Sequence, residues 1–372
     1  MDLTKLLKYY TKNILGWKTK RKIVVFTVDD YGNVRVASKQ ARQKMDEDGL
    51  KRISHFDVYD TLETEEDLLA LFEVLNSVKD KNNHSAVFTP FALSSNINFE
   101  AMRENGFEEY VYENLPETFN KINGNSNVYK LWLQGIEEGI FVPEFHGREH
   151  LNIKVLMYLL KLHNKEVKSC FENRSYTSIS SRPFSRINFT AALGYHDYVE
   201  NEQLKLIVKD GLDQFEKVFG FRSIYLTSPN SPESDCLHPT LFESGIKYID
   251  APIVKKQLIQ DNKTHISFQY SGKSNNNNQR YLVRNAVFEP QADSRINWVE
   301  YGLKQIEIGF TMHRPVNISS HRVNFCGHVD PNVRKFGLQN LKALLEGIVK
   351  RWPDVEFMSA REMITALEKE NT

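Results

Sequence analysis

Short apolar runs rich in β-branched and aromatic residues recur along the chain. Longer stretches separate them, in which apolar residues return every three or four positions. The runs fall at 23–28, 86–93, 140–145, 187–193, 223–227, 247–251, 281–288, 316–320 and 355–358. Runs of this length read as strands, and the segments between them as helices, with helices expected over 65–78, 202–219, 293–308 and 332–351. Thr64, with Asp67 three residues on, has the spacing of a capping box at the start of the first. Strand and helix alternating through most of the chain predict βα units around a parallel sheet, and seven to nine such units predict a barrel. The asparagine-rich stretch 271–279 reads as a solvated loop insertion, and polar 161–186 as a second insertion at the surface or over a binding site.

The first 22 residues follow another pattern. Leu3, Leu6, Leu7, Tyr10, Ile14 and Trp17 lie near helical spacing among Lys5, Lys8, Lys12, Lys18, Lys20, Arg21 and Lys22. Two readings fit: a basic helix on an anionic membrane surface, or an amphipathic helix packed on the barrel 23–372. Neither a signal peptide nor a spanning segment is recognisable, so the expected location is cytoplasmic, with peripheral contact at the inner membrane face under the first reading. Composition narrows the choice further. Lys+Arg 48 against Asp+Glu 48 leaves a formal net charge of +0, which disfavours nucleic acid as partner. Cys170, Cys236 and Cys326 include no C-x-x-C pair, which excludes a thiolate zinc ribbon and fits a reducing compartment.

Polar residues able to do chemistry follow the expected strands directly: Asp29-Asp30 after the first, His146 after the third, Ser228-Pro229-Asn230 after the fifth, His321 after 316–320. In a parallel α/β barrel all strand C-termini open on one face, so these elements converge there. Adjacent aspartates on an extended chain point apart and can hold different roles, one on a metal and one on a proton, although turn and cap chemistry is an equal reading of Asp-Asp alone. His146 and His150, four apart, share a face of a helical turn and with one carboxylate form a set that leaves coordination positions open. His321 fits a proton donor at neutral pH or a further ligand.

The ordered set TVDDYG, HGREHLN, YLTSPN and SSHRVNF resembles the polysaccharide deacetylase superfamily, over roughly Lys22 to Leu367. The resemblance implies a distorted (β/α) barrel of about seven strands. It implies Asp29 as catalytic base, Asp30, His146 and His150 as metal ligands, and His321 as catalytic acid. Ser228, Pro229 and Asn230 match a groove-wall motif, and Trp298 an Asp/Trp element, as substrate-binding residues. Gly147 stands where that family usually has a hydroxyl residue, and the arginine of its third motif has no counterpart near Ser228. The chemistry implied is hydrolysis of an N- or O-acetyl group of a carbohydrate, assisted by one divalent ion, zinc first, with cobalt, nickel or iron also compatible.

Two rivals compete. A glycoside hydrolase needs carboxylates on opposite sides of the sugar, at least roughly 5 Å apart, for which Glu144, Glu149 and Glu289 are distant partners of the Asp pair. A non-catalytic carbohydrate-binding relative would account for the departures at Gly147 and in the third motif. The expected substrate is an acetylated sugar, an oligosaccharide or a lipid-linked glycan.

Overall fold

A computed structural model describes residues 3–123, 127–184 and 187–371. Nine strands form one sheet: β1 (Lys22–Tyr31), β2 (Phe88–Leu93), β3 (Glu144–Gly147), β4 (Tyr225–Leu226), β5 (Tyr248–Asp250), β6 (Arg280–Leu282), β7 (Ala286–Val287), β8 (Val316–His321) and β9 (Val355–Phe357). Eight run in the order β6-β5-β4-β3-β2-β1-β8-β7, and β9 pairs with the first residues of β1. Every pairing is parallel. The predicted α/β barrel is therefore present with eight strands in its path, not about seven. It stays open between β6 and β7, which follow one another in the chain but do not pair. The sheet is strongly curled. Four inter-strand spacings of about 4.8 Å would put β1 and β5 roughly 19 Å apart if it were flat. Yet the single side chain of Arg284 reaches Asp29 on β1 at 2.8 Å and Asp250 on β5 at 3.0 Å.

The continuous apolar run in β1 is explained by burial on both faces. Val24, Phe26 and Val28 pack in the main core. Ile23 and Val25 turn the other way, into the barrel, where they meet Phe91, Tyr225, Tyr248 and Leu282. The C-terminal helix Ala360–Asn371 closes that end with Ala360, Met363, Ile364 and Leu367. Odd-numbered positions of β1 thus face inward, which fixes where Asp29 points.

The four predicted helices form as Glu65–Ser77, Asn201–Phe219, Trp298–Thr311 and Pro331–Arg351, and the capping box of Thr64 and Asp67 is made in full. The third starts five residues later than the pattern suggests, because the Asn297 side chain accepts from the Glu300 amide and caps it there. Two strand expectations need correction. The run 187–193 is buried as turns, its Ala191 carbonyl and that of Gly194 just beyond it taken by the Asn152 side-chain amide. The run 281–288 is broken by Arg284 and Asn285 into β6 and β7. Two antiparallel hairpins were not foreseen, Ser95–Ile97 with Tyr112–Asn114 and Val254–Leu258 with Thr264–Phe268.

The N-terminal helix Leu3–Ile14 is docked. Tyr9 and Tyr301 share a hydroxyl hydrogen bond of 3.0 Å, the Asn285 amide donates to the Asn13 side chain at 2.8 Å, and the Arg314 guanidinium donates to the carbonyls of Asn13 and Ile14. Leu7, Ile14 and Leu15 remain exposed.

The helix Pro331–Arg351 packs on the segment just after His321. A Cβ at Gly337 would lie 1.6 Å from the Asn324 carbonyl oxygen. Gly337→Ala gains about 1 kcal/mol of helix propensity but must displace that backbone, and overpacking costs typically about 1–3 kcal/mol, occasionally more. A net loss of stability is expected, read as a lower midpoint in urea; an unchanged or raised midpoint would contradict the close approach.

Candidate metal centre and active site

The site is built at the C-terminal end of β1. Asp29 continues the inward-facing series and lies opposite His321 in the β1–β8 register. Alternation alone would send Asp30 outward to the helix layer. Instead Asp30 takes a left-handed backbone, φ 76°, and the β1–β2 register shifts between Val28 and Tyr31. Both carboxylates thereby reach the barrel mouth. A left-handed non-glycine residue costs of order 1–3 kcal/mol, so its surroundings must hold it. They do: two residues on, the Gly32 amide donates to Glu63 at 3.1 Å, and the Asn96 side chain donates to the Gly32 carbonyl at 2.8 Å.

His146 lies one residue before the end of β3, and His150 follows in an irregular turn, so the helical-turn geometry expected for this pair is not the one found. Gly147 makes the turn with φ 142°, where a Cβ would press on the Glu149 carbonyl at 3.2 Å. This conformation explains why a glycine replaces the hydroxyl residue there. The His146 Nδ1–H donates to the Thr227 carbonyl at 2.9 Å, which leaves Nε2 as a lone pair 3.4 Å from Asp30 Oδ1. His150 Nε2 is 3.0 Å from the same oxygen. Burial pushes the Asp30 carboxyl up, but the facing His150 and His146 outweigh it and hold it well below the usual carboxylate range. Burial pushes His150 down, toward the neutral form that ligates metals.

These atoms fit a divalent cation. The ligand atoms of Asp30, His146 and His150 all lie within 4.8 Å of one another, and His146 Nε2 is buried without a hydrogen-bond partner. Tetrahedral zinc with bonds of about 2.1 Å separates its ligands by roughly 3.4 Å, close to the 3.0 and 3.4 Å found. A second cluster, Glu233, Asp235 and His238, has similar spacing, but the buried Lys255 ammonium sits among its carboxylates, 2.8 Å from Asp235. A cation is already supplied there by the chain.

Beside Asp30, His146 and His150 an aspartate and a histidine face one another. Both oxygens of Asp29 accept from Arg284, at 2.8 and 2.9 Å, and Asp29 Oδ2 lies 3.7 Å from His321 Nε2. His321 Nδ1 lies 2.6 Å from Glu289. Burial lowers the His321 pKa, but Glu289, Asp29 and Asp30 together push it up to about 10, so the ring is protonated at neutral pH. Arg284 and Glu289 were missed in these roles. The signal for Arg284 was a lone cation inside an otherwise apolar run.

A cavity of about 870 Å³ opens over these groups. Asp29, Asp30, His146, His150 and His321 line it, as do Ser228 and Asn230 of the expected groove wall. Pro229 packs instead toward Gly147, 3.4 Å from the position a Cβ would take. Trp298 is buried at a helix start against Tyr301, its indole donating to the Asp293 carbonyl, and does not line the cavity. The 161–186 insertion contributes Ser178, and Ser185 and Arg186 lie outside the described residues. Unforeseen lining residues include Lys8 and Lys12 of the N-terminal helix.

No protein-family model matches the chain, and no curated protein matches it in sequence. Among solved structures it is similar to a probable polysaccharide deacetylase from Pseudomonas aeruginosa PAO1, at 10% identity and a TM-score of 0.46, covering 94% of this chain and 91% of that one. It is also similar to the CE4 domain of a multidomain xylanase from the hindgut metagenome of Trinervitermes trinervoides, at 10% identity and a TM-score of 0.37, covering 95% and 92%. A third likeness is to the 4-alpha-glucanotransferase of Thermococcus litoralis, at 9% identity and a TM-score of 0.45, covering 93% of this chain and 40% of that one. Proteins of different activities share this level of similarity, so the chemistry of this chain has to be argued from its own side chains.

Proposed function

We propose that this chain is a metal-dependent carbohydrate deacetylase of the polysaccharide deacetylase superfamily. The observation that carries the reading is the convergence of Asp30, His146 and His150 on one point, with Asp29 and His321 immediately beside it. Asp30, His146 and His150 would hold a divalent cation, which would supply Lewis acidity toward an acyl carbonyl and a water molecule. Asp29, oriented by Arg284, removes the proton from the attacking water. His321, kept protonated by Glu289, gives its Nε2 proton to the departing amine or alcohol. The chain's donors favour zinc, and cobalt, nickel or iron suit the same set. The proposed substrate is an acetylated sugar, alone, in an oligosaccharide or on a lipid carrier. A cytoplasmic setting is supported by three cysteines without a disulfide among them.

The glycosidase reading loses support. Glu144 is spent at the start of β3 on Ser223 and Arg361, Glu149 on Arg148 and Tyr110, and neither lines the cavity. Glu289 is engaged with His321.

Three measurements test the proposal. His150→Ala removes one of three ligands, so the purified variant should retain well under half the parent's metal by elemental analysis; equal occupancy would reject the site. Asp29→Asn keeps the shape and removes the proton acceptor, so acetate release from acetylated sugars should fall by roughly 10²-fold or more. Full activity would remove Asp29 from the mechanism. Glu289→Gln takes away the largest influence raising the His321 pKa. In the metal-free protein the His321 titration followed by NMR should therefore move down from about 10 toward the ordinary value of 6.5, and no movement would show that Glu289 does not hold that proton.

A further inference from the structure

One part of the cavity wall comes from outside the barrel. Lys8, Tyr9 and Lys12 of the helix Leu3–Ile14 line it beside Arg284 and Asp250. Lys8 and Lys12 are four residues apart and share a helix face. That helix is fixed by Tyr301, Asn285 and Arg314, so the two ammonium groups are presented from a rigid support. Lys12 is half-buried, its Nζ donating to the Arg284 carbonyl at 2.9 Å.

Each other charge lining the cavity has an opposite charge beside it, and Arg284 is shared between two carboxylates. Arg284 faces Asp29 and Asp250, Arg35 faces Asp57, His321 faces Glu289, and Asp30 belongs with the metal ligands. Among the described residues Lys8 and Lys12 form no ion pair with a carboxylate. Burial, then Lys8 and Arg284, push the Lys12 ammonium down to about 8 against the pull of Asp250, so the positive charge here is crowded. The one carboxylate acting on Lys12, Asp250, is already paired with Arg284, so an anionic ligand group at the two ammonium ends would offset the burial of Lys12 further.

We infer that the substrate carries a phosphate or diphosphate ester, and that Lys8 and Lys12 bind it at the rim of the deacetylation site. This rests on the deacetylase reading for what the rest of the substrate is, and on the two lysines for its charge. Phosphate esters of sugars come from two sources with the same chemistry, nucleoside diphosphates and polyprenyl diphosphates.

The test begins with binding, which does not depend on turnover. Inorganic pyrophosphate is titrated calorimetrically into the metal-loaded parent, the double variant Lys8→Met/Lys12→Met, and Lys12→Arg. The expected result is binding weakened about tenfold or more in the double variant and largely kept in Lys12→Arg, as loss of charge-assisted bonds requires. Equal affinity in parent and double variant overturns the inference. In turnover, the ratio of kcat/KM for a nucleoside-diphosphate N-acetyl sugar, or its polyprenyl-diphosphate counterpart, over that for a neutral N-acetyl oligosaccharide should fall about tenfold in the double variant. Whichever ester has the higher kcat/KM identifies the source, and an unchanged ratio for both overturns the inference. If no probe releases acetate but pyrophosphate binding still depends on the lysines, the deacetylase reading fails while the anion site stands. Co-sedimentation with phosphatidylglycerol vesicles completes the set. Lysine-dependent vesicle binding with lysine-independent pyrophosphate binding would show that these side chains read a membrane surface, and would also overturn the inference.

Discussion

The candidate site depends on one backbone reversal, the left-handed conformation at Asp30. Without it β1 would keep strict alternation, Asp29 would face the barrel interior and Asp30 the outer helices, and Asp30 would not meet His146 and His150 at the mouth. Because the residue after the inward-facing Asp29 is turned by its φ of 76°, two neighbouring carboxylates reach one cavity with different partners. Asp30 meets two imidazoles, and Asp29 meets a guanidinium and a third imidazole. The strain is local and its support is not.

That support is a buried charge network beneath the turn. Arg322, fully buried one residue after His321, donates to Asp60 at 2.9 Å and to Glu63 at 2.9 Å. Glu63 also accepts from the Gly32 amide and the Trp132 indole. One carboxylate therefore ties the turn after Asp30 to the end of β8, where His321 sits. Removing one member of such a network strands a charge in the interior, which costs far more than an exposed pair contributes. Burial, aided by Asp30, pushes the Asp60 carboxyl up to about 6 despite Arg322, a sign of how tightly these charges are confined.

Much of this was legible in the sequence, for a physical reason. Strands buried on both faces must be apolar runs, so all nine strands fall within or across predicted ones, and the chemistry-bearing residues follow their C-termini as parallel topology requires. Gly147 could be seen as a departure, but only its φ of 142° shows that the turn between the two histidines needs it. The run 187–193 misled because burial, not pairing, explains its apolar character; Ile187, Phe189 and Leu193 are core residues held in turns. Arg284 and Glu289 were illegible as partners because their roles depend on where the barrel fails to close. Lys8 and Lys12 looked like the polar face of a helix, and only its docking brings them to the cavity.

The open seam between β6 and β7 is what furnishes the site with its two orienting groups. In a closed barrel residues 283–285 would be ladder, with side chains alternating and backbones paired. Left unpaired, they let Arg284 reach across the barrel to Asp29 and Asp250. Past the seam, β7 takes up the register of β8, Val287 opposite Ser319, and two residues on this sets Glu289 beside His321. A cation thus backs Asp29 and a carboxylate backs His321, both from a stretch of six residues. Two side chains only 3.7 Å apart are given neighbours of opposite charge, and that asymmetry is the arrangement on which the proposed division of labour between Asp29 and His321 rests.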